Sequence, residues 1–207
     1  MGMSRRFTWY GLPEGCTRVL FPGCGLPGTR PAGIRKLYEQ LRERDRSFGI
    51  VLDCCGRISN DLGREDFACS MMEEMCTFLV NHGVREVLVV CPNCHDMFKD
   101  YATGLSVRMA YEVLPEKEIP SVQSEKKILI HDPCGGRFLE TCHASVRRLV
   151  SSAGFSIEDM AHTRERTLCC GNGAGVDSLS PEMSGKWLEC VSRETAGRVV
   201  ATYCAGC

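Results

Sequence analysis

The tripeptide Cys-Cys-Gly occurs twice in this 207-residue chain, at residues 54–56 and 169–171. In each copy a single cysteine precedes it and a Cys-X-X-Cys pair follows it. The intervals are 29 and 35 residues in the first copy and 34 and 33 in the second. Such a repeat indicates an internal duplication of a five-cysteine unit. The first cysteine set is Cys24, Cys54, Cys55, Cys91 and Cys94, and the second cysteine set is Cys134, Cys169, Cys170, Cys204 and Cys207.

Five cysteines per unit are one more than a single structural metal ion uses. Thiolates are soft ligands that favour iron–sulfur clusters, zinc or copper(I), and structural zinc takes four ligands in a closed tetrahedral site. Two adjacent cysteines at a sharp bend with glycine can reach two metal atoms of a larger group. The pattern therefore favours a polynuclear cluster. Zinc in at least one unit is the main alternative, and burial of the cysteines as small apolar side chains is the weaker one.

Short apolar segments alternate with amphipathic segments throughout the chain. Strand–helix alternation favours parallel sheets in an α/β fold, and open α/β sheets present ligands beyond the carboxyl ends of their strands. All ten cysteines are expected there. The apolar segments that are predicted as strands or that lead directly to a cysteine are residues 18–21, 49–52, 84–90, 106–110, 127–130, 166–168 and 198–202. Residues 156–160 are ambiguous. One helix is predicted to start at Pro31. Three more are predicted over residues 66–82, 138–153 and 181–196.

The cysteine arrangement resembles the cysteine-rich CCG domain found in the B subunit of heterodisulfide reductase. It is also similar to iron–sulfur subunits of lactate-utilisation and glycolate-oxidase systems. The resemblance runs from about Cys24 to Cys207, and it implies that the ten cysteines hold one or two non-cubane [4Fe–4S] clusters, with zinc in one site of some relatives. The pair at Cys204 and Cys207 departs from the family pattern, because alanine stands where proline usually follows the first cysteine.

We predict an α/β fold of two tandem, duplicated Rossmann-like modules with short parallel sheets and cysteine ligands at the C-terminal ends of the strands. The first CCG module covers residues 17–104, a linker region covers 105–126, and the second CCG module covers 127–207. Because the chain ends on Cys207, a proposed ligand, we expect the second module to be truncated and the parent protein to be longer.

The composition of the chain limits the classes of partner it can bind and the cellular compartment in which it is expected. The net charge is −1 and no basic block is present, so nucleic-acid binding has no electrostatic support. No signal peptide is visible, and fifteen cysteines without one indicate reduced, metal-binding thiols in the cytoplasm. The longest apolar run, residues 87–90, is too short to span a bilayer. Membrane association is therefore expected only through a partner or a missing C-terminal region.

Three cationic or titratable residues are candidates for substrate binding. His131 lies three residues before Cys134 and could donate a hydrogen bond to a cluster sulfide or a substrate, although a bond to the backbone is the simpler expectation. Arg57 and Arg137 follow glycines in loops that should face the clusters, where a guanidinium could hold an acidic substrate. The cysteines outside the two sets are expected in the core: Cys16, Cys69, Cys76, Cys142 and Cys190.

The resemblance implies an iron–sulfur redox subunit of an oxidoreductase complex. No flavin or nicotinamide site is evident, so electrons should come from other redox subunits, ferredoxin-like or flavoprotein. In one version the clusters reduce a disulfide substrate. In a second version they only relay electrons between a dehydrogenase subunit and a quinone-linked partner. A third alternative is a zinc-stabilised scaffold or interaction module, which predicts a colourless protein.

Overall fold

The computed structural model describes residues 8–116, 119 and 127–207. The chain packs into two compact units, one ending at Ala110 and one starting at Tyr111. Most of the second half of the predicted linker region, residues 117–118 and 120–126, lies outside the described residues.

The first unit is built on a five-stranded sheet with the order β1-β3-β2-β4-β5. Strands β2, β3, β4 and β5 run parallel, whereas β1 pairs with β3 in the antiparallel sense. Val, Leu and Phe fill the two central strands, which are almost entirely buried, as strands covered on both faces are. The strands are β1 (Trp9–Gly11), β2 (Arg18–Phe21), β3 (Gly49–Leu52), β4 (Glu86–Val89) and β5 (Ser106–Met109).

Five helices complete the described part of the first unit, and the apolar stripes of α4 and α5 explain which face each of these two buries. Helix α4 buries Met72, Met75 and Leu79 at helical spacing, and α5 buries Met97 and Phe98. Proline at the first position starts both α2 and α5, where its missing N–H leaves no bond unmade. The helices are α1 (Gly25–Thr29), α2 (Pro31–Arg44), α3 (Arg57–Asp61), α4 (Glu65–Asn81) and α5 (Pro92–Tyr101).

The second unit has a parallel three-stranded sheet with the order β7-β6-β8. Its central strand β6 is buried from Ile128 to His131. Helix α6 buries one face, whereas α8 buries only Val191 and leaves Met183 and Leu188 more than half exposed. The elements are β6 (Lys127–His131), α6 (Glu140–Ser152), β7 (Ser156–Asp159), α7 (Val176–Leu179), α8 (Pro181–Thr195) and β8 (Val200–Thr202). Among the described residues no helix is both long and apolar enough to cross a bilayer.

The α/β class is confirmed, but two details of the sequence prediction are wrong. The first sheet is mixed, because the segment before β2 forms strand β1, which pairs with β3 in the antiparallel sense. Residues 166–168 do not form a strand. Arg164–Arg166 make a 3₁₀ turn, and the ambiguous segment 156–160 supplies the strand β7 instead. The pair Cys169–Cys170 therefore follows a loop, not the end of a strand.

Replacement of Phe98 by alanine tests the packing of α5 on the first sheet. Phe98 is fully buried and meets Phe21 edge to face, with the ring centroids 4.9 Å apart. We expect the Phe98→Ala variant to lose about 3–5 kcal/mol of unfolding free energy, measured by urea titration. The control is Phe138→Ala, which removes a ring that is 79% exposed and should change stability by less than about 0.5 kcal/mol. Equal losses in the two variants would contradict this packing.

Candidate metal centre

The five thiols of the first cysteine set interact in one continuous series. The Cys54 thiol donates to the Cys24 sulfur, and the two Sγ atoms are 3.7 Å apart. Cys54 and Cys55 interact electrostatically. Cys94 forms hydrogen bonds with both Cys55 and Cys91, which raise its pKa together with burial. All five predicted ligands of the first unit are thus brought together.

The second cysteine set is gathered in the same way. Cys134 interacts with the thiol of Cys169 and with Cys170. Cys170 accepts a hydrogen bond from Cys207, and Cys207 also shares a hydrogen bond with Cys204. The structure therefore brings all ten predicted cysteines into two groups of five, although their role as ligands stays a prediction.

One sulfur in each group is predisposed to carry the negative charge. The hydrogen bond from Cys54 lowers the pKa of Cys24 to about 6, against the opposing effect of burial. The hydrogen bond from Cys207 lowers the pKa of Cys170 to about 4, with a further contribution from His131. Because the thiolate is the metal-binding form of cysteine, the lowered pKa values favour the metal-binding form of Cys24 and of Cys170.

The glycine of each Cys-Cys-Gly string forms the bend that follows the two adjacent cysteines. Gly56 and Gly171 have φ angles of 74° and 87°, a left-handed conformation that glycine adopts without steric cost. Their N–H groups point to the first sulfur of each pair, at 3.4 Å for Cys54 and 3.3 Å for Cys169. The same bend therefore places a backbone N–H donor beside the first sulfur of the pair in both units.

The Cys-X-X-Cys pairs also share one turn. The backbone N–H of Cys94 donates to the carbonyl of Cys91 at 3.0 Å, and that of Cys207 to the carbonyl of Cys204 at 3.3 Å. This bond closes the turn in the second pair even though alanine replaces proline there. The departure from the family pattern thus leaves the turn intact.

The two groups differ in their exposure to solvent. In the first set only Cys24 is exposed, and the other four cysteines are buried. In the second set Cys134 and Cys207 are exposed, and the other three are partly exposed. A molecule that approaches from solvent therefore reaches more sulfur atoms in the second set than in the first.

The chemistry of the donors fits an iron–sulfur cluster. Each group offers five soft sulfur donors, one of them predisposed to ionise, and backbone N–H donors toward the sulfurs. Within the described ranges, no three His, Cys, Asp or Glu side chains take the arrangement that holds a single metal ion.

His131 lies at the end of β6 beside the second cysteine set. Its residue is 3% exposed, and neither ring nitrogen has a hydrogen-bond partner of ordinary geometry within the described part of the chain. The simpler expectation, a bond to the backbone, is therefore wrong. The imidazole is close enough to Cys170 to lower the pKa of that thiol.

The two candidate arginines are held by neighbouring groups. The guanidinium of Arg57 pairs with Asp61 at 2.7 Å and with Asp96 at 3.4 Å. Arg137 donates to the carbonyl of Thr167 at 2.7 Å, and its buried Nε has no partner among the described residues. Arg137 therefore keeps one donor available near the loop of the second set, whereas Arg57 already faces two carboxylates.

Asp132 is the residue that sequence reasoning missed. Its side chain is fully buried, and Arg147 donates to both carboxylate oxygens, at 3.0 and 2.8 Å. The Thr163 hydroxyl, the backbone N–H of Arg164 and the hydroxyl of Tyr203 each add a bond of 2.8 Å. Although burial opposes ionisation, these bonds hold the pKa of Asp132 well below its usual range.

The bonds of Asp132 connect the three segments that carry the second cysteine set. Asp132 itself precedes Cys134 by two residues. Thr167, whose hydroxyl bonds to the Asp132 carbonyl oxygen, precedes Cys169 by two, and Tyr203 directly precedes Cys204. A charged residue between an apolar strand and a cysteine, in Asp-Pro-Cys, is the sequence signal that could have revealed this role.

The remaining cysteines divide by position. Cys16, Cys76 and Cys142 are buried, as expected for core residues, and burial raises the pKa of each. Cys69 is partly exposed, and Cys190 is exposed on α8, so the expectation of core packing is wrong for Cys190.

Substitution of Gly171 tests the bend of the second Cys-Cys-Gly string. A Cβ atom there would lie 2.5 Å from the carbonyl oxygen of Ser184, and the positive φ alone costs about 1–3 kcal/mol for other residues. We expect Gly171→Ala to lower the thermal unfolding midpoint. Gly173→Ala is the matched control, since its Cβ would meet no atom within 4 Å. Identical midpoints for the two variants would count against the bend.

Removal of the Tyr203 hydroxyl tests the network around Asp132. Tyr203→Phe deletes one hydrogen bond to a buried carboxylate, so we expect a loss of about 1.5–3 kcal/mol in urea unfolding. The control Tyr101→Phe removes a 3.3 Å bond to the neutral side chain of Asn60 and should cost less than about 1.5 kcal/mol. A Tyr203→Phe variant as stable as the parent would show that the network is not needed to hold these segments.

Curated proteins with similar sequences are redox enzymes by name. The chain is 27% identical over 201 residues to the B subunit of the CoM/CoB fumarate reductase of Methanothermobacter marburgensis, covering 90% of this chain and 40% of the relative. It is 25% identical over 211 residues to the D subunit of the dihydromethanophenazine:CoB–CoM heterodisulfide reductase of Methanosarcina barkeri, covering 91% and 52%. A third relative, the probable iron–sulfur-binding oxidoreductase FadF of Bacillus subtilis, is 25% identical over 135 residues, covering 60% and 19%. The chain thus spans about half or less of each relative's length.

A protein-family model describes both halves of the chain. The model of the CCG cysteine-rich domain matches residues 19–99 and again residues 128–207. Each match contains one complete cysteine set, and together they cover most of the sequence. With its two groups of five thiols and its paired Cys-Cys-Gly bends, the chain belongs to the CCG family of cysteine-rich domains.

Proposed function

We propose that this chain is an iron–sulfur redox subunit of an oxidoreductase complex, in which each cysteine set holds one non-cubane [4Fe–4S] cluster. The observation that carries this proposal is the gathering of five thiols in each unit, with one sulfur predisposed to ionise. Five sulfur donors exceed what a zinc ion uses. The names of the relatives, which include an iron–sulfur-binding oxidoreductase and a component of a heterodisulfide reductase, support the same chemistry.

We also propose that the two units are duplicated, Rossmann-like modules, with bounds at residues 17–104 and 127–207 and the linker region 105–126 between them. Two observations support a duplication. The strand order β3-β2-β4 in the first sheet matches the order β7-β6-β8 in the second. In each unit the central strand leads to the single cysteine, and the strand beside it leads to the Cys-X-X-Cys pair.

An iron–sulfur cluster supplies one-electron transfer when it is bound. The chain's own contribution is to hold the sulfurs and to stabilise their charge. The N–H groups of Gly56 and Gly171 donate to cysteine sulfurs, and burial of the first set keeps water from most of its sulfurs. In the second set the exposed Cys134 and Cys207 leave an approach from solvent.

The reaction proposed for this protein is the reduction of a disulfide to two thiols. It consumes two electrons and two protons, breaks one S–S bond and forms two S–H bonds. The electrons come from other redox subunits, ferredoxin-like or flavoprotein, and the protons come from solvent. Arg137 lies beside the second set and keeps its Nε without a partner in the described part of the chain, which supports a role in holding the substrate there. His131, which is 3% exposed, is too buried to contact a substrate directly. Arg57 is the weaker candidate, because two carboxylates already pair with it.

The relay between a dehydrogenase subunit and a quinone-linked partner is the second candidate function. The burial of four cysteines in the first set favours it for that set, because a buried cluster can conduct electrons without contacting a substrate. Both functions assign the protein to the cytoplasm, with any attachment to a membrane made through a partner.

Serine replacement of the adjacent cysteines tests the ligand sets. We expect Cys54→Ser/Cys55→Ser and Cys169→Ser/Cys170→Ser each to halve the iron and acid-labile sulfide of anaerobically purified protein, and the fourfold variant to abolish both. The control Cys190→Ser changes an exposed cysteine outside the sets and should leave both contents unchanged. Full iron content in the fourfold variant, or zinc in place of iron in the parent, would refute the proposal.

The two candidate functions separate in one assay. Protein reduced with dithionite under anaerobic conditions, freed of excess reductant and mixed with small-molecule disulfides, should release two thiols for every two electrons stored if it is the disulfide reductase. Reoxidation by quinone analogues without thiol release would support the relay instead. The Cys169→Ser/Cys170→Ser variant is the control, because it keeps only the first, buried set.

A further inference from the structure

The two cysteine sets share one position that carries different residues. Phe21 stands three residues before Cys24 and pairs in register with Val89, two residues before Cys91. His131 stands three residues before Cys134 and pairs in register with Thr202, two residues before Cys204. Phe21 and His131 therefore occupy corresponding places at the carboxyl ends of β2 and β6.

The surroundings of Phe21 are apolar. Its side chain is fully buried and meets the ring of Phe98 at a centroid distance of 4.9 Å. A phenyl ring offers no hydrogen-bond donor to a sulfur. At this position the first cysteine set therefore has only an apolar wall.

Among the described residues, the imidazole of His131 is buried without a hydrogen-bond partner of ordinary geometry for its N–H group. The residue is 3% exposed, and neither Nδ1 nor Nε2 has a hydrogen-bond partner of ordinary geometry within residues 127–207 or the rest of the described chain. A buried polar group without a partner destabilises the folded protein. The ring interacts with the sulfur of Cys170, which also interacts with Cys207 and with the backbone of Asn172.

We propose that an N–H of His131 donates a hydrogen bond to the sulfur of Cys170 in the loaded protein and raises the reduction potential of the second cluster above that of the first. This inference rests on the proposed function. Reduction adds negative charge to a cluster and its sulfur ligands, so a donor to sulfur stabilises the reduced form. Every imidazole carries at least one N–H, whichever tautomer is present.

Two further comparisons bear on the order of potentials. The Gly56 and Gly171 N–H groups donate to sulfur at nearly equal distances, 3.4 and 3.3 Å, so they do not separate the two clusters. Solvent exposure stabilises added charge, and the second set is the more exposed one. Exposure and the His131 donor therefore act in the same direction.

A redox titration followed by electron paramagnetic resonance tests the role of His131. The parent protein should show two midpoint potentials. His131→Phe, which copies the first set, should make reduction of the second cluster about tenfold less favourable, a fall of about 59 mV for one electron, and leave the first potential unchanged. His131→Gln keeps an N–H donor and should retain most of the parent's higher potential. If His131→Phe does not load its second cluster, His131→Leu carries the same expectation.

The outcomes separate this inference from the proposed function. Two clusters whose potentials do not move in His131→Phe or His131→Leu would overturn the role of His131 and leave the iron–sulfur assignment standing. An equal fall in His131→Gln would also overturn it, since the effect would then not come from an N–H donor. A parent protein without iron, sulfide and paramagnetic signals would refute the proposed function itself.

Discussion

The electrostatic repulsion among five gathered thiols is a constraint on both units. Two unit charges 4 Å apart repel by about 4 kcal/mol at an effective dielectric constant of 20. In the first set the pKa of Cys24 is lowered and that of its hydrogen-bond donor Cys54 is raised. In the second set the pKa of Cys170 is lowered and that of its hydrogen-bond donor Cys207 is raised. A positively charged metal cluster removes this repulsion and lets all five sulfurs ionise.

The two units hold their sulfurs in different ways. In the first, apolar burial on a five-stranded sheet fixes the segments, and the rings of Phe21 and Phe98 form one of its aromatic contacts. In the second, a smaller sheet leaves the cysteines more exposed, and the buried pair of Asp132 and Arg147 connects the segments through hydrogen bonds. Breaking a buried pair of this kind by removing one partner costs about 3–5 kcal/mol. Polar contacts therefore do in the second unit what apolar packing does in the first.

The sequence predicted most of the elements because their signals are local. The apolar runs at residues 18–21 and 49–52 predicted β2 and β3, and Pro31 predicted the start of α2. The loop before Cys169 was read incorrectly, because its conformation depends on Asp132, which bonds to Thr163 and to the backbone of Arg164 from more than thirty residues away. No local pattern encodes such a contact. The gathering of the cysteines followed from their spacing, whereas the isolation of His131 and the engagement of Arg57 depend on neighbours that only the folded chain defines.

We propose that each group of five sulfurs holds a polynuclear iron–sulfur cluster. X-ray absorption at the iron and zinc edges of anaerobically prepared protein is the decisive measurement, because it reports the neighbours of the metal itself. We expect iron with a first shell of sulfur and a second shell of iron neighbours. Zinc with four sulfurs at about 2.3 Å and no metal neighbour would refute the cluster assignment.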